Sequence, residues 1–211
     1  MDSGRWTTVR HAWQDALYGA EGFYCRATPA DHFRTSVHVS PLFARAVVAL
    51  ARRHRAEHIT DWGSGAGELL VAVHELAPEM GLTGVDLRGR PRGLPPEIEW
   101  LVRLPDRVTG LLVANELLDN VACDLVELDA ADVPRLVEVE RAGVEQRLGE
   151  PAEAAVRDWV ERWWPLVEPG DRVEVGLSRD DAWYDACRRV TDGICVAIDY
   201  GHRRESRPVW G

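Results

Sequence analysis

Apolar and polar positions alternate along this chain with a period that switches between that of a helix and that of a strand. Apolar residues at helical spacing predict helices over residues 6–20, 41–55, 68–80, 151–167 and 178–190. Short apolar runs predict strands over residues 58–62, 82–87, 97–102, 111–114, 172–176 and 194–201. Strand and helix follow one another in turn, so we expect an α/β fold with a doubly wound, mostly parallel sheet.

The order of these elements predicts a single domain over residues 1–211. Residues 1–57 would supply N-terminal helices and a lid segment, and residues 58–211 a Rossmann-like core. Ser40 and Pro41 are typical of a helix start, because serine caps well and proline suits the first helical position. Residues 124–147 alternate in polarity and contain turn residues, which predicts a hairpin-like insertion in the core.

Composition and charge narrow the classes of partner. The 211 residues are 45% hydrophobic and 28% charged, which is typical of a globular protein. The formal net charge of −10 argues against nucleic acid as a partner. No apolar window is long enough to predict a membrane span, and the first residues lack a secretory signal, so we expect a cytoplasmic protein. All 25 basic residues are arginine, which excludes a P-loop lysine.

The four cysteines do not form a metal-binding pattern. Cys25, Cys123, Cys187 and Cys195 contain no C-x-x-C pair. We expect buried free thiols and no metal site.

A glycine-rich turn joins the strand at 58–62 to the next helix. It reads Asp61-Trp62-Gly63-Ser64-Gly65-Ala66-Gly67. Such a turn lets the backbone approach a ligand closely. Glu68 occupies the last glycine position of a nicotinamide-binding G-x-G-x-x-G turn, which weighs against that cofactor. An S-adenosylmethionine (SAM) site fits better, because acids beside the turn suit a ligand that carries a sulfonium and an ammonium group.

Asp86 ends the next predicted strand. An acid at this place can accept hydrogen bonds from both hydroxyls of a ribose, as its counterpart in dinucleotide-binding folds does. The alternative is an acid that only caps a loop. The glycine turn and Asp86 in register together predict a SAM site.

Two further acidic segments follow predicted strands. In Asn115-Glu116-Leu117-Leu118-Asp119, the acids at 116 and 119 are three residues apart and could clamp a guanidinium or ammonium group. A polar helix start is the alternative. Asp199-Tyr200-Gly201-His202 also lies at the ligand edge of the predicted sheet. The alternative is a simple turn after a buried strand.

Four ordered blocks make the chain similar to a known family. They are Gly22-Phe23-Tyr24 with Phe33-Arg34-Thr35-Ser36 and Ser40-Pro41-Leu42-Phe43, then the glycine turn, then Ala114-Asn115-Glu116 with Asp119, and last Ile198-Asp199-Tyr200-Gly201-His202. In these blocks the chain resembles the MidA-like SAM-dependent methyltransferases. That family includes a mitochondrial complex I assembly factor that methylates a protein arginine.

The resemblance implies a role for each candidate residue. Cofactor-binding residues would be Thr35, Ser36, Asp61, Gly63, Gly65, Gly67, Asp86 and Asn115. Glu116 and Asp119 would be catalytic and orient an acceptor nitrogen, and Asp199 and Tyr200 would line the acceptor pocket. The acceptor would be a protein, for example through an arginine, or a small molecule.

The chain also departs from the family pattern. Val37-His38 stands where the family often has Pro-Glu, and Val121-Ala122-Cys123 replaces the common Leu-Pro. The chain ends at Gly211, so we expect the C-terminal strands of a class I methyltransferase sheet to be missing. An exposed sheet edge would follow, open to a homodimer or a partner chain.

Two other functions compete with an active methyltransferase. The early end favours a catalytically weak or inactive SAM-binding or scaffold protein. A nucleotide-dependent oxidoreductase is the third reading, and NAD binding would support it.

Overall fold

The computed structural model describes residues 4–26, 41–141 and 144–201. Its strands are β1 (Trp6–Thr8), β2 (His58–Trp62), β3 (Gly81–Val85), β4 (Glu99–Leu101), β5 (Val108–Asn115), β6 (Asp124–Leu128), β7 (Pro134–Glu140), β8 (Gln146–Pro151), β9 (Arg172–Val175) and β10 (Val190–Ile198). Its helices are α1 (Val9–Tyr18), α2 (Phe23–Arg26), α3 (Pro41–Arg53), α4 (Glu68–Leu76), α5 (Ala154–Trp163) and α6 (Leu177–Cys187), with a short 3₁₀ helix at Leu118–Asn120.

Backbone contacts divide the chain into two compact units. One unit is formed by the described residues of 1–23, 121–182 and 201–211. The other is formed by the described residues of 24–120 and 183–200. The second unit carries the glycine turn and most of the candidate site residues.

The unit of residues 24–120 and 183–200 contains a parallel sheet. Its strand order is β10-β5-β2-β3-β4, and all neighbouring strands run parallel. In β5, which lies between β10 and β2, residues 111–114 are all buried, as a strand covered on both faces requires. The predicted α/β fold with a parallel sheet is confirmed.

Apolar side chains cover both faces of the parallel sheet. On one face, α3 and α4 pack in a core that contains Ile59 and Leu111. On the other face, Ala186 near the end of α6 packs with Leu112. Leu111 and Leu112 belong to different cores because successive side chains of a strand point to opposite faces.

The other unit contains an antiparallel sheet of five strands. β6 lies between β9 and β7, and β7 also pairs with β1 and β8. Helix α5 places Val160 in a core with Val126 and Val173 of this sheet. The amphipathic pattern of the sequence here produces a helix that covers one face of the sheet.

The N-terminal segment differs from the prediction of a helix over residues 6–20. Trp6–Thr8 form β1, which pairs with residues 138–140 of β7, and α1 begins only at Val9. The Thr8 Oγ1 atom accepts a hydrogen bond from the backbone N–H of His11 at 3.3 Å and so caps the helix. Pairing with a strand about 130 residues away in the chain overrides the local helical pattern.

The predicted hairpin insertion at 124–147 is larger than expected. It contains β6 and β7 and continues into β8, and β1 and β9 complete the sheet. The strand predicted at 172–176 is β9 and belongs to this antiparallel sheet, not to the parallel one. β8 is polar and largely exposed, so it has no alternation from which a strand could be predicted.

Helix α4 ends earlier than the predicted helix over 68–80. Its last residue is Leu76, and Pro78 follows two residues later. Proline lacks a backbone N–H and disfavours helical geometry in the residue before it, so the helix stops here. The remaining predicted helices and strands are present, with their ends shifted by a few residues.

Two further expectations from the sequence concern the state of the cysteines and the lack of a membrane-spanning helix. Cys123, Cys187 and Cys195 are free thiols, of which Cys123 is buried and the other two are partly buried, while the Cys25 side chain lies outside the description. Among the helices of the described ranges, none combines the length and the apolar character that crossing a membrane would need.

Candidate functional site

The strands of the parallel sheet end in one row. Trp62 of β2 pairs with Val85 of β3 and with Ala114 of β5. One residue further on, Asn115 pairs with Ile198 of β10. The segments that leave the sheet at this row are the glycine turn at 63–67, Asp86, residues 116–119 and Asp199 with Tyr200. The carboxyl ends of parallel strands are where α/β folds bind ligands, so the candidate residues meet at the expected edge.

The glycine turn needs glycine for two different reasons. Gly63, Gly65 and Gly67 all have positive φ, at 83°, 61° and 84°. A Cβ atom at Gly63 would lie 2.8 Å from Leu117, and one at Gly67 would lie 2.7 Å from Leu94. At Gly65 the nearest atoms would be at 3.6 Å or more, so that position is the open one. A side chain at Gly63 or Gly67 would therefore require a leucine to move, and the positive φ disfavours a side chain at all three glycines.

Asp61 is a buried acid at the end of β2. Burial is the main cause that raises its pKa to about 7, and the charges of Asp86 and Glu68 raise it further. A hydrogen bond with Ser64 opposes these effects. The carboxylate form of Asp61 is thus costly in this structure, and a nearby cation would stabilise it.

The carboxylate of Asp86 accepts hydrogen bonds on both oxygen atoms. Its Oδ2 atom accepts from the Gly65 N–H at 2.9 Å and from Arg88 Nη2 at 3.3 Å. Its Oδ1 atom accepts from the Arg88 backbone N–H and from Arg88 Nε, both at 3.0 Å. Asp86 therefore ties the turn to the loop after β3. No motif in the sequence points to Arg88.

The segment after β5 is conformationally strained. Glu116 has a φ of 50°, which a residue with a side chain adopts at a cost of about 1–3 kcal/mol. Its backbone N–H donates to the carbonyl of Ile198 at 2.8 Å and holds the segment to the neighbouring strand. The Oδ1 atom of Asn115 is buried, with no hydrogen-bond partner within the ranges that the structure describes. A strained acid beside an unsatisfied acceptor is typical of a functional site.

Asp199 holds this segment in place. Its Oδ2 atom accepts the backbone N–H groups of Leu118 at 2.7 Å and of Asp119 at 3.2 Å. Its Oδ1 atom accepts the backbone N–H of Tyr200 at 2.8 Å. The Asp199 carboxylate thus caps the short 3₁₀ helix, and its predicted role in lining an acceptor pocket stays a prediction.

Tyr200 lies beside the candidate catalytic acids. The residue is 76% exposed. The charge of Glu116 is the largest cause that raises the pKa of the Tyr200 hydroxyl, which also hydrogen-bonds to Glu116, and Asp119 and Asp199 raise it further. The structure therefore brings Tyr200, Glu116 and Asp119 together as the sequence predicted.

Tyr24 and Asn120 are residues of the site that the sequence did not identify. The Tyr24 hydroxyl donates to Asn120 Oδ1 at 2.6 Å. Asn120 Nδ2 in turn donates to Asp119 Oδ1 at 2.7 Å and to the Glu116 carbonyl at 3.1 Å. Burial and the charges of Asp119 and Asp86 raise the pKa of Tyr24, while Arg88 lowers it. The available signals were the position of Tyr24 in the first family block and of Asn120 directly after Asp119.

Two predicted residues fall outside the description. Thr35 and Ser36 lie in residues 27–40, which the structure does not describe, and so does the Val37-His38 departure. Within the described ranges, no group of three or more histidine, cysteine, aspartate or glutamate residues is arranged to hold a metal ion.

The acidic residues at the glycine turn fit SAM. Burial is the main cause of the raised pKa of Asp61 there, and the like charges of Asp86 and Glu68 raise it further. A ligand with a sulfonium and an ammonium group would relieve this repulsion. The unsatisfied Asn115 Oδ1 atom adds a buried hydrogen-bond acceptor at the same edge.

Comparisons with known proteins agree with this fit. A family profile described as "Putative S-adenosyl-L-methionine-dependent methyltransferase" matches residues 75–209, and the chain belongs to this family. A search of curated proteins gave no match.

Two crystal structures of proteins from Burkholderia thailandensis, from one superfamily, share the fold. The first, bound to S-adenosyl-homocysteine, is 24% identical with a TM-score of 0.79. The second, a native structure, is 25% identical with a TM-score of 0.75. Each match covers 98% of this chain but only 63% and 62% of the longer chains. The family is SAM-dependent, and one structural neighbour holds the demethylated product of SAM.

Proposed function

We propose that this chain is a methyltransferase of the MidA-like group, with a doubly wound class I core, that methylates a nitrogen atom, such as that of a protein arginine. The observation that most supports the proposal is the row of strand ends. The glycine turn, the buried acid Asp61 and the acid Asp86, which would bind a ribose, follow strands that end at one edge of the parallel sheet. The candidate catalytic acids Glu116 and Asp119 follow a strand that ends at the same edge. Apolar cores on both faces of that sheet favour the doubly wound arrangement.

The cofactor half of the proposed site is built from the turn and from Asp86. When bound, SAM supplies an electrophilic methyl group on its sulfonium. Asp86 would accept hydrogen bonds from the ribose, and Asp61 would stabilise the ammonium end by its negative charge. Gly65 would let the backbone approach, because it is the open position of the turn.

The acceptor half is built from the segment after β5. Glu116 and Asp119 would hold a guanidinium or amine by charge-assisted hydrogen bonds. After transfer, a carboxylate can take up the proton that the acceptor nitrogen releases. Tyr200, which hydrogen-bonds to Glu116, and the amide of Asn120, which contacts Asp119, would keep the two acids oriented.

Calorimetric titration tests the cofactor half. Wild-type chain and Asp86→Ala would be titrated with SAM, S-adenosyl-homocysteine and NAD, with Asp158→Ala as a control because Asp158 is an exposed acid on α5. We expect wild type and the control to bind the two SAM-type ligands and Asp86→Ala to lose at least tenfold in affinity. NAD binding alone would instead support a nucleotide-dependent oxidoreductase.

A radiolabelled methyl-transfer assay tests the acceptor half. Peptides that contain arginine, lysine or neither would be compared as acceptors for wild type, for Glu116→Gln and for Glu97→Gln, an exposed acid that serves as the matched control. We expect arginine peptides to be labelled, Glu116→Gln to lose turnover with little change in SAM affinity, and Glu97→Gln to match wild type. An equal loss of both in Glu116→Gln would argue for a cofactor role instead.

Binding of SAM without transfer to any acceptor would favour the SAM-binding or scaffold alternative. That outcome bears on this chain in particular because it spans less than two thirds of the length of the matched structures. The cytoplasmic location and the pairing of chains through a sheet edge stay predictions from the sequence.

A further inference from the structure

The carboxylate of Asp86 is fully used by groups of this chain. A carboxylate offers about four lone-pair positions to hydrogen-bond donors. Asp86 accepts four hydrogen bonds, of which the backbone N–H groups of Gly65 and Arg88 supply two and the Arg88 guanidinium supplies the other two. The Asp86 side chain is only 13% exposed, so little of it remains open to other donors.

The two kinds of donor differ in how easily they can leave. The backbone of Arg88 is fixed at both ends of the residue, because its N–H binds Asp86 and its carbonyl accepts the Trp100 Nε1–H at 3.0 Å. The Gly65 N–H belongs to a turn held by the sheet. The guanidinium of Arg88 sits at the end of a flexible side chain and can rotate away without moving the backbone.

The guanidinium of Arg88 also has a second acid nearby. A Cβ atom at Gly65 would lie 3.7 Å from Arg88 Nη2 and 3.6 Å from Glu68 Oε2, so both side chains border the open face of the turn. A guanidinium that leaves Asp86 therefore remains near the carboxylate of Glu68, which limits the cost of leaving.

We propose that Arg88 competes with the ligand's ribose for Asp86 and thereby lowers the affinity of ligands that carry a pair of neighbouring hydroxyls. This inference rests on the proposed function. Two ribose hydroxyls replace the two guanidinium hydrogen bonds one for one and leave the two backbone N–H bonds in place. A ligand without these hydroxyls makes no such exchange, so its affinity should not depend on the Arg88 side chain.

The hydrogen bonds of Arg88 and its positive charge should affect ligand binding differently. Charge alone would weaken the binding of SAM, which is cationic, and would have little effect on a neutral ligand. 5′-Methylthioadenosine is neutral and carries both ribose hydroxyls, and its 2′,3′-dideoxy analogue lacks them. Competition for Asp86 predicts an effect on the first of these neutral ligands and none on the second.

Calorimetric titration of the full chain with the two neutral ligands and with SAM tests the proposal. The proteins are wild type, Arg88→Ala, Arg88→Met, which keeps an apolar stem, and Arg92→Ala, which removes an exposed positive charge from the same loop. Removal of a competing ion pair should tighten binding of 5′-methylthioadenosine by about 3- to 10-fold in both Arg88 variants. The dideoxy analogue should bind all four proteins within about twofold of each other, and Arg92→Ala should match wild type. Thermal denaturation checks that each variant is folded.

The outcomes distinguish this inference from the proposed function. If wild type binds SAM and neither Arg88 variant binds 5′-methylthioadenosine more tightly, the competition is refuted and the methyltransferase proposal stands. A gain of equal size for the dideoxy analogue would also refute it, because the effect would not depend on the hydroxyls. If neither wild type nor a folded Arg88 variant binds SAM, the proposed function itself fails.

Discussion

Replacement of the buried acid Asp61 by asparagine should make the protein more stable and bind SAM less well. The pKa of Asp61 rises from an ordinary value of 3.8 to about 7, mainly because the carboxyl is buried. The folded chain therefore holds a proton that the unfolded chain releases at a lower pH. Asparagine has nearly the same shape and no charge, so Asp61→Asn removes the cost of ionising this position.

The size of the effect follows from the two pKa values. The stability that the protonated carboxyl contributes is fully present below pH 3.8 and is lost as the pH rises through about 7. A rise in pKa from 3.8 to about 7 corresponds to about 4 kcal/mol of lost stability by pH 8, of which about 2 kcal/mol is lost above pH 5.5. Asp61→Asn does not lose this stability, so its free energy of unfolding relative to that of wild type should increase with pH.

Urea unfolding followed by tryptophan fluorescence measures the difference, since the chain has nine tryptophans. Wild type, Asp61→Asn and the exposed control Asp158→Asn would be compared at pH 5.5 and at pH 8. We expect the free energy of unfolding of Asp61→Asn, relative to wild type, to increase by about 2 kcal/mol between these pH values. An equal pH dependence of wild type and Asp61→Asn would refute the reasoning.

The same acid makes SAM binding depend on pH. A cationic ligand favours the carboxylate, so binding to wild type below pH 7 should release a proton and affinity should increase from pH 6 to pH 8. Titration in two buffers with different ionisation enthalpies measures that proton directly. Asp61→Asn should bind SAM more weakly and show neither the proton release nor the pH dependence.

Three further substitutions test the geometry. Gly63→Ala places a Cβ atom 2.8 Å from Leu117 at a φ of 83° and should lower the free energy of unfolding by about 1–3 kcal/mol, measured by urea unfolding. Glu116→Gly relieves a φ of 50° and should raise the melting temperature slightly while abolishing methyl transfer, and a lower melting temperature would contradict the strain. Tyr24→Phe removes a hydroxyl that orients the amide beside the candidate acids and should lower kcat about tenfold with KM for SAM nearly unchanged, whereas the exposed Tyr184→Phe should have no effect.

The parallel sheet could be predicted because its signals are local. β2, the glycine turn and α4 follow one another in the sequence, and β5 contains a continuous apolar run at residues 111–114. The antiparallel sheet could not be predicted in full, since β1 is a strand only by pairing with a distant partner and β8 is polar. Local periodicity carries no information about either effect.

The candidate site was predictable to a similar degree. Acids that follow strands, such as Asp86 and Glu116, are visible in the sequence because strand ends can be located. Side-chain pairing is not visible, so the guanidinium of Arg88 on Asp86 and the bond from Tyr24 to Asn120 emerged only from the structure. These contacts depend on how loops fold back, which a linear pattern does not record.

The row of strand ends has a consequence for the entropy of ligand binding. The Gly63 N–H bonds to β3 and the Glu116 N–H bonds to β10, so the backbone around the candidate site is anchored to neighbouring strands. A ligand that binds such a preorganised frame has few backbone torsions to immobilise and loses little affinity to ordering. Amide hydrogens at Gly63 and Glu116 should accordingly exchange with solvent as slowly as those of the central strands, with or without ligand.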